Sequence, residues 1–233
     1  MIQLRGAAVT VSIPASGQER QRVLLHPTTL ELDQHRVAVI GANGSGKSTF
    51  LRLLNGLVLP SAGDVLVAGL DTRSQGRDVR RLVGFVFTDP MAQLVLATPA
   101  DDIELSLRRL IKDRAARRAE ALRLLSERGL ADVADQSVYD LSGGERQLVA
   151  LTSVLAAAPR IVVADEPTTL LDLRNRDRVR AAIAALDQQV VLATHDLELA
   201  GEAERVLVIE AGRVIADGEP AEAIAAYLRL VRP

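Results

Sequence analysis

The stretch VAVIGANGSGKST, residues 37–49, runs from an apolar segment into closely spaced glycines and then a lysine followed by two hydroxyl residues. Its second part fits G-x-x-x-x-G-K-[ST]. That pattern carries meaning only with a strand before it and a helix after it. The run 37–40 supplies the strand, and 49–54 reads as the helix. Gly41, Gly44 and Gly46 permit positive φ, so backbone N–H groups can converge on a concavity that holds phosphate oxygens. Asn43, Ser45 and Thr49 complete the loop. Lys47 brings a point charge to the β- and γ-phosphates, and Ser48 can ligate Mg²⁺. Only two of the 28 basic residues are lysines, Lys47 and Lys112. Retention of lysine at 47 points to a role arginine cannot fill. The loop implies a nucleoside triphosphate, ATP or GTP, together with Mg²⁺.

Working outward, IVVADEP at 161–167 is an apolar strand that ends in two acids. Two acids at a strand end are usually just solvated. Downstream of a phosphate loop, Asp165 is placed to hold Mg²⁺ through water and Glu166 to orient and deprotonate an attacking water. The segment LSGGER, 141–146, has its own local physics. Ser142 and Glu145 form an S-x-x-E capping box, which predicts a helix from 143 to about 157. The N-terminus of that helix offers unpaired N–H groups and a positive dipole end to an anion. Gly143 and Gly144 leave a phosphate's approach unobstructed. His195 follows the apolar run 190–193 at a carboxyl strand end, where it reads as a γ-phosphate contact. Asp172 reads either as a helix N-cap, a common place for aspartate, or as a functional acid.

Short apolar runs at 37–40, 65–68, 83–87, 161–164, 190–193 and 206–209 alternate with longer helical patterns. This is the signature of a mostly parallel sheet covered by helices, and such sheets bind ligands beyond the carboxyl ends of their strands. Between about 98 and 140 the strand signals vanish. Thr98, Pro99 and Asp101 read as a capped helix start, and a second helix is expected from about Asp113 to Gly129. Runs 206–209 and 214–216 around Gly212 read as a hairpin, followed by a last helix through Tyr227. The expected organisation is one α/β domain, with 1–88 and 159–233 as core and about 89–158 as an inserted helical subdomain.

The bulk properties exclude several classes. No window approaches the roughly 18 uninterrupted apolar residues of a membrane helix, and the start of the chain lacks a signal-peptide layout. With no cysteine there is no disulfide framework and no thiolate metal site. A formal charge of −2 argues against nucleic acid as a partner. The basic stretch 108–118 carries interleaved acids and reads as a solvated helix face.

In this order, GANGSGKST, LSGGE, VVADEP, TTLLD and THD resemble the nucleotide-binding subunits of ABC transporters over nearly the whole chain. The resemblance implies a P-loop NTPase fold of the ABC type, a mostly parallel sheet with antiparallel β elements and an inserted helical subdomain. It implies ATP hydrolysis in a head-to-tail homodimer, each ATP held by the loop 41–49 of one copy and by Ser142, Gly143, Gly144 and Glu145 of the other. Glu166 is then the catalytic base, His195 the γ-phosphate switch and Asp172 a contact across the dimer. VGFVFTDPMAQLV (83–95) and DEPTTLLDLRN (165–175) look like the ATPases of energy-coupling-factor importers. Those work with a transmembrane coupling protein and a membrane substrate-capture protein, and place the ATPase on the cytoplasmic face of the membrane as a peripheral subunit. The match is most like the biotin branch, with cobalt and nickel importers as the nearest rivals. An exporter or lipoprotein-release ATPase, or a soluble ABC ATPase, is the remaining alternative.

Two departures stand out. Thr88 occupies the place where most relatives carry a glutamine that senses Mg²⁺ and the membrane partner, so coupling is expected to fall on Thr88 and Gln93 together. Relatives also stack an aromatic on adenine from a position before the loop, whereas Phe50, Phe85, Phe87, Tyr139 and Tyr227 all follow Thr49. Loose discrimination between bases is expected.

Overall fold

The computed structural model describes residues 1–15 and 18–232. Its contacts divide the chain into two units, Met1–Val83 with Gln189–Pro233, and Gly84–Gln188. The first unit opens with β1 (Ile2–Ala15) and β2 (Gln18–Leu32), then β3 (Arg36–Ile40), α1 (Lys47–Leu54), β4 (Ala62–Val67), the short β5 (Leu70–Asp71) and α2 (Gly76–Leu82). The second unit holds β6 (Val83–Val86), α3 (Pro99–Leu107), α4 (Arg114–Glu127), α5 (Gly143–Ala156), β7 (Ile161–Asp165) and α6 (Leu173–Ala184). The chain then returns to the first unit as β8 (Gln189–Ala193), α7 (Leu197–Gly201), β9 (Arg205–Glu210), β10 (Arg213–Gly218) and α8 (Pro220–Val231).

Within the first unit, β3 lies between β8 and β9 and runs parallel to both, with Val39 opposite Ala193 and Ile40 opposite Val208. β10 pairs antiparallel with β9 as the expected hairpin. Val37, Ala38, Val39, Ile40, Val190, Val191, Val206 and Leu207 are all fully buried. That explains their unbroken apolar runs: a parallel strand covered on both faces has no solvated side to alternate with.

The run at 65–68 was expected in this sheet and is not there. As β4 it joins an antiparallel sheet of order β2-β1-β4-β5, with Leu4 opposite Val65 and Ile2 opposite Val67. Its burial alternates, as suits a strand with one solvated face, and Ala68 turns away with φ 49°. The long hairpin β1–β2 has no counterpart in the expected elements. Near its base Ile2, Leu4, Val9, Leu25 and Leu32 supply core, but farther out the pairs are Ser12–Gln21 and Ile13–Arg20. The outer part of β2, residues 18–22, carries no apolar period, whereas Val9, Val11 and Ile13 of β1 alternate with Thr10 and Ser12.

The second unit contains the expected helices, and β6, β7 and α6 besides. The Thr98 hydroxyl accepts from Asp101 N at the start of α3, with Pro99 in the first turn. Asp113 caps α4, and Gly129 follows that helix with φ 66°. Ile103 and Leu107 of α3, Leu125 of α4 and Leu148 and Leu151 of α5 are buried. The basic stretch is knitted in locally. Arg117 donates to the carbonyls of Ile111 and Lys112, and Arg118 pairs with Asp101, Glu104 and Asp135.

Candidate active site

In the first unit the chain leaves β3 through Gly41 (φ 150°), Gly44 (φ 78°) and Gly46 (φ 113°). A Cβ added to Gly41 would stand 2.1 Å from the carbonyl oxygen of Ile209. The close passage of β9 therefore demands glycine there as much as the loop does. Ser45 N donates to Ala42 O at 3.1 Å, and Ser45 O accepts from Gly212 N at 2.7 Å, which anchors the loop to the β9–β10 turn. Asn43 and Gly44 are left at the exposed tip.

Lys47 is only 6% exposed and its Nζ donates to the carbonyls of Gly41 at 2.9 Å and Ala42 at 3.1 Å. The loop thus wraps its own cation. Gly46 precedes α1 without any side-chain cap, so the helix begins at Lys47, Ser48 and Thr49 with its amides turned to a prospective anion. His195 lies two residues past Ala193, the partner of Val39, and Thr194 N donates to Val39 O at 3.1 Å. This pairing brings His195 to the same carboxyl end as Gly41.

In the second unit Asp165 closes β7 at 2% exposure. Glu166 follows with φ 51°, in the left-handed region, and the Thr169 hydroxyl donates to its carboxylate at 3.2 Å. Thr88 Oγ1 donates to the carbonyl of Asp165 at 2.9 Å, so the threonine in the usual glutamine place holds the end of β7 by its backbone. Gln93 accepts from Phe87 N at 3.3 Å and donates to Ala150 O of α5 at 2.7 Å.

The capping box is present in full. Glu145 N donates to Ser142 Oγ at 3.3 Å, while Glu145 Oε2 accepts from Ser142 N at 2.8 Å and from Ser142 Oγ at 2.7 Å. The Ser142 hydroxyl, then its backbone N–H, holds the Glu145 carboxyl below the ordinary glutamate range, with Arg178 assisting and burial opposing. Asp172 is an N-cap: it accepts from Asn175 N at 2.9 Å and from Asn175 Nδ2 at 2.8 Å. Its carboxyl is lowered by the Asn175 backbone bond first, then the Asn175 side chain.

The two signature glycines differ. The nearest atom to a Cβ on Gly143 is Leu171 Cδ2 at 3.6 Å, an ordinary contact. A Cβ on Gly144 would meet Asn175 Cγ at 2.2 Å. Gly144 therefore makes room for an asparagine of the same chain. The structure thus brings the loop and His195 together in one unit. In the other it joins Asp165 and Glu166 to Thr88, and Ser142–Glu145 to Asp172 through Asn175. Asn175 and Thr169 were not singled out from sequence; both stand in the motif DEPTTLLDLRN, but neither type signals a contact before the turn is folded.

The ABC transporter family matches residues 25–169. The chain belongs to that family. An ABC transporter ATP-binding protein of Deinococcus radiodurans is 50% identical over 89% of this chain and 92% of its own. The biotin transport ATP-binding protein BioM of Rhizobium etli is 47% identical over 88% of this chain and 92% of its own. The energy-coupling factor transporter ATP-binding protein EcfA1 of Bacillus subtilis is 38% identical over 84% and 72%. Among solved structures, the ATP-binding cassette MJ0796, in a dimeric post-hydrolysis state bound to ADP and Pi, matches with TM-score 0.85 and 29% identity over 94% of this chain and 99% of its own. The cbiO1 protein of Clostridium perfringens, part of the ABC transporter complex cbiONQ, matches with TM-score 0.79 and 26% identity over 100% and 95%. As an ABC ATPase the chain binds and hydrolyses ATP to energise a transporter. Among the described residues no helix is long and apolar enough to cross a membrane.

Proposed function

We propose that this ABC ATPase powers an energy-coupling-factor importer and that the imported molecule is biotin. The observation that carries the reading is the 47% identity to the Rhizobium BioM protein, over 88% of this chain and 92% of that one. A cobalt or nickel importer is the second reading, since segments 83–95 and 165–175 resemble importer ATPases without selecting the cargo.

The working unit is a head-to-tail homodimer at the cytoplasmic face of the membrane, each chain acting as one ATPase domain. Each ATP is held by Gly41–Thr49 of one copy and by Ser142, Gly143 and Gly144 of the other. Ser48 and Asp165 offer oxygen donors of the kind Mg²⁺ prefers. Mg²⁺ held by such donors would neutralise charge on the phosphates. Lys47 holds the β- and γ-oxygens, Glu166 takes a proton from the attacking water, and His195 contacts the γ-phosphate. Asp172 meets the partner copy, and Thr88 and Gln93 pass the nucleotide state to a transmembrane coupling protein and a substrate-capture protein.

The test is a mild-detergent purification from native membranes of the Glu166→Gln chain with ATP, with co-purifying proteins and small molecules identified. A small multi-span protein carrying biotin beside a coupling protein supports the reading. Recovered Co²⁺ or Ni²⁺ changes the substrate, and absence of any membrane protein ends the importer proposal while leaving the ATPase.

A further inference from the structure

Asp102 sits in the first turn of α3, where an acid is ordinary, yet it is 3% exposed. It makes no ion pair among the described residues. Its Oδ1 accepts from Val95 N at 2.8 Å and Leu96 N at 3.1 Å, and its Oδ2 from Ser153 Oγ at 2.7 Å. Because the single Ser153 proton is directed to Asp102, the 3.0 Å contact between Ser106 Oγ and Ser153 Oγ is donated by Ser106. The carboxylate thus ties the segment before α3 to the middle of α5.

The same segment reaches α5 twice more. Gln93 donates to Ala150 O at 2.7 Å, and the buried Gln147 donates to Phe87 O at 3.4 Å. Gln147, Ala150 and Ser153 are spaced three apart and so follow one another along one stripe of the helix. The segment 87–96 is therefore fastened to a single face of α5, whose N-terminus carries Ser142–Gly144. At the far end of the segment Val95, whose N–H Asp102 holds, is 75% exposed and apolar.

We propose that Asp102 and Ser153 form a latch that makes the segment 87–96 and α5 move as one piece, so that a membrane partner bearing on Val95 shifts the Ser142–Gly144 tip. Asp102 is a positioning residue here: it acts through Val95, Leu96 and Ser153. An asparagine at 102 keeps both backbone bonds and donates to Ser153 Oγ, whose proton turns to Ser106, so removal of the Ser153 hydroxyl is the change that breaks the tie. The latch follows from the contacts alone; only the identity of the partner rests on the importer reading.

Two measurements test it. In the isolated chain, amide hydrogen exchange at Val95, Leu96 and residues 146–148 is expected to rise about tenfold in Ser153→Ala and to stay at the parent rate in Ser153→Thr, which keeps the hydroxyl. In the purified complex with its membrane partners, the ratio of partner-stimulated to basal ATPase is expected to fall about fivefold in Ser153→Ala and to stay near the parent value in Ser153→Thr. The basal rate and the KM for ATP stay within about twofold. Faster exchange confined to Val95 and Leu96, with α5 unaffected, overturns the latch. So does an unchanged stimulation ratio in variants whose exchange has changed. Should no membrane partner exist, the exchange arm still decides the latch, and only the importer reading falls.

Discussion

Gly144 lies so close to Asn175 that a Cβ on the glycine would stand 2.2 Å from the asparagine Cγ. Asn175 in turn donates to Asp172 through both its backbone N and its Nδ2. One asparagine therefore registers the start of α5 against the cap of α6, and with it the signature segment against the proposed dimer-contact acid.

Gly144→Ala is expected to expel Asn175 and cost about 1–3 kcal/mol, as overpacking does in a closed contact. Adding Asn175→Ala should recover most of the loss by opening the space. Denaturant unfolding of both single variants and the double variant checks this coupling. A fully stable Gly144→Ala chain would refute the packing account.

Glu166→Gln should bind ATP normally and accumulate as an ATP-bound dimer, because the amide cannot take the proton from water. Size-exclusion chromatography with ATP and a phosphate-release assay measure the two parts. Turnover at the parent rate would remove Glu166 as the base.

Lys47 is enclosed by its own loop through the carbonyls of Gly41 and Ala42. Lys47→Ala and Lys47→Arg are both expected to weaken ATP binding about a hundredfold or more, the arginine because a planar fork does not replace a compact ammonium in that enclosure. Titration calorimetry reads the affinity. Near-parent binding in the arginine variant would show that charge alone suffices.

The Glu145 carboxyl is held below its ordinary value by Ser142. A depressed acid contributes stability that is complete above its unfolded pKa and is lost as the pH falls through the folded value. The capping box should therefore stabilise α5 at neutral pH and weaken below 4.5, the unperturbed glutamate value. Glu145→Gln, which has no such titration, should differ from the parent at neutral pH and converge with it under acid in urea unfolding. A gap that stays constant across that range would contradict the assignment.

No aromatic precedes the phosphate loop, and Phe50, just after it, is fully buried. Stacking on a base is worth roughly 1–3 kcal/mol where it has been measured. GTP should accordingly bind within about tenfold of ATP. A preference for ATP above about a hundredfold in competition binding would show that another group reads the base.

Much of the local structure was legible because it depends on neighbours in sequence. The Thr98, Asp113 and Ser142 caps lie within three residues of the amides they serve, and the buried runs at 37–40 and 190–193 announce strands covered on both faces. In the outer part of β1–β2 the alternation of Val9, Val11 and Ile13 is a strand signal, but its partner stretch 18–22 is wholly polar, so the pairing across the hairpin leaves no trace in β2. The run at 65–68 reads as strand, but apolar content does not say which sheet a strand will join, and the structure puts it beside β1.

By itself the sequence determined which chemistry this chain carries: a lysine and glycines in a phosphate loop, an acid pair after a strand, a capped signature helix. Those are short patterns whose physics is local. Tertiary structure alone decided what each group is tied to. Asp102 reads as a routine first-turn acid until burial leaves it three donors from elsewhere in the chain. Gly144 shows no sign in the sequence that Asn175 packs against it. Partners set by packing across tens of residues have no signature in either residue type, so only the folded chain could assign them.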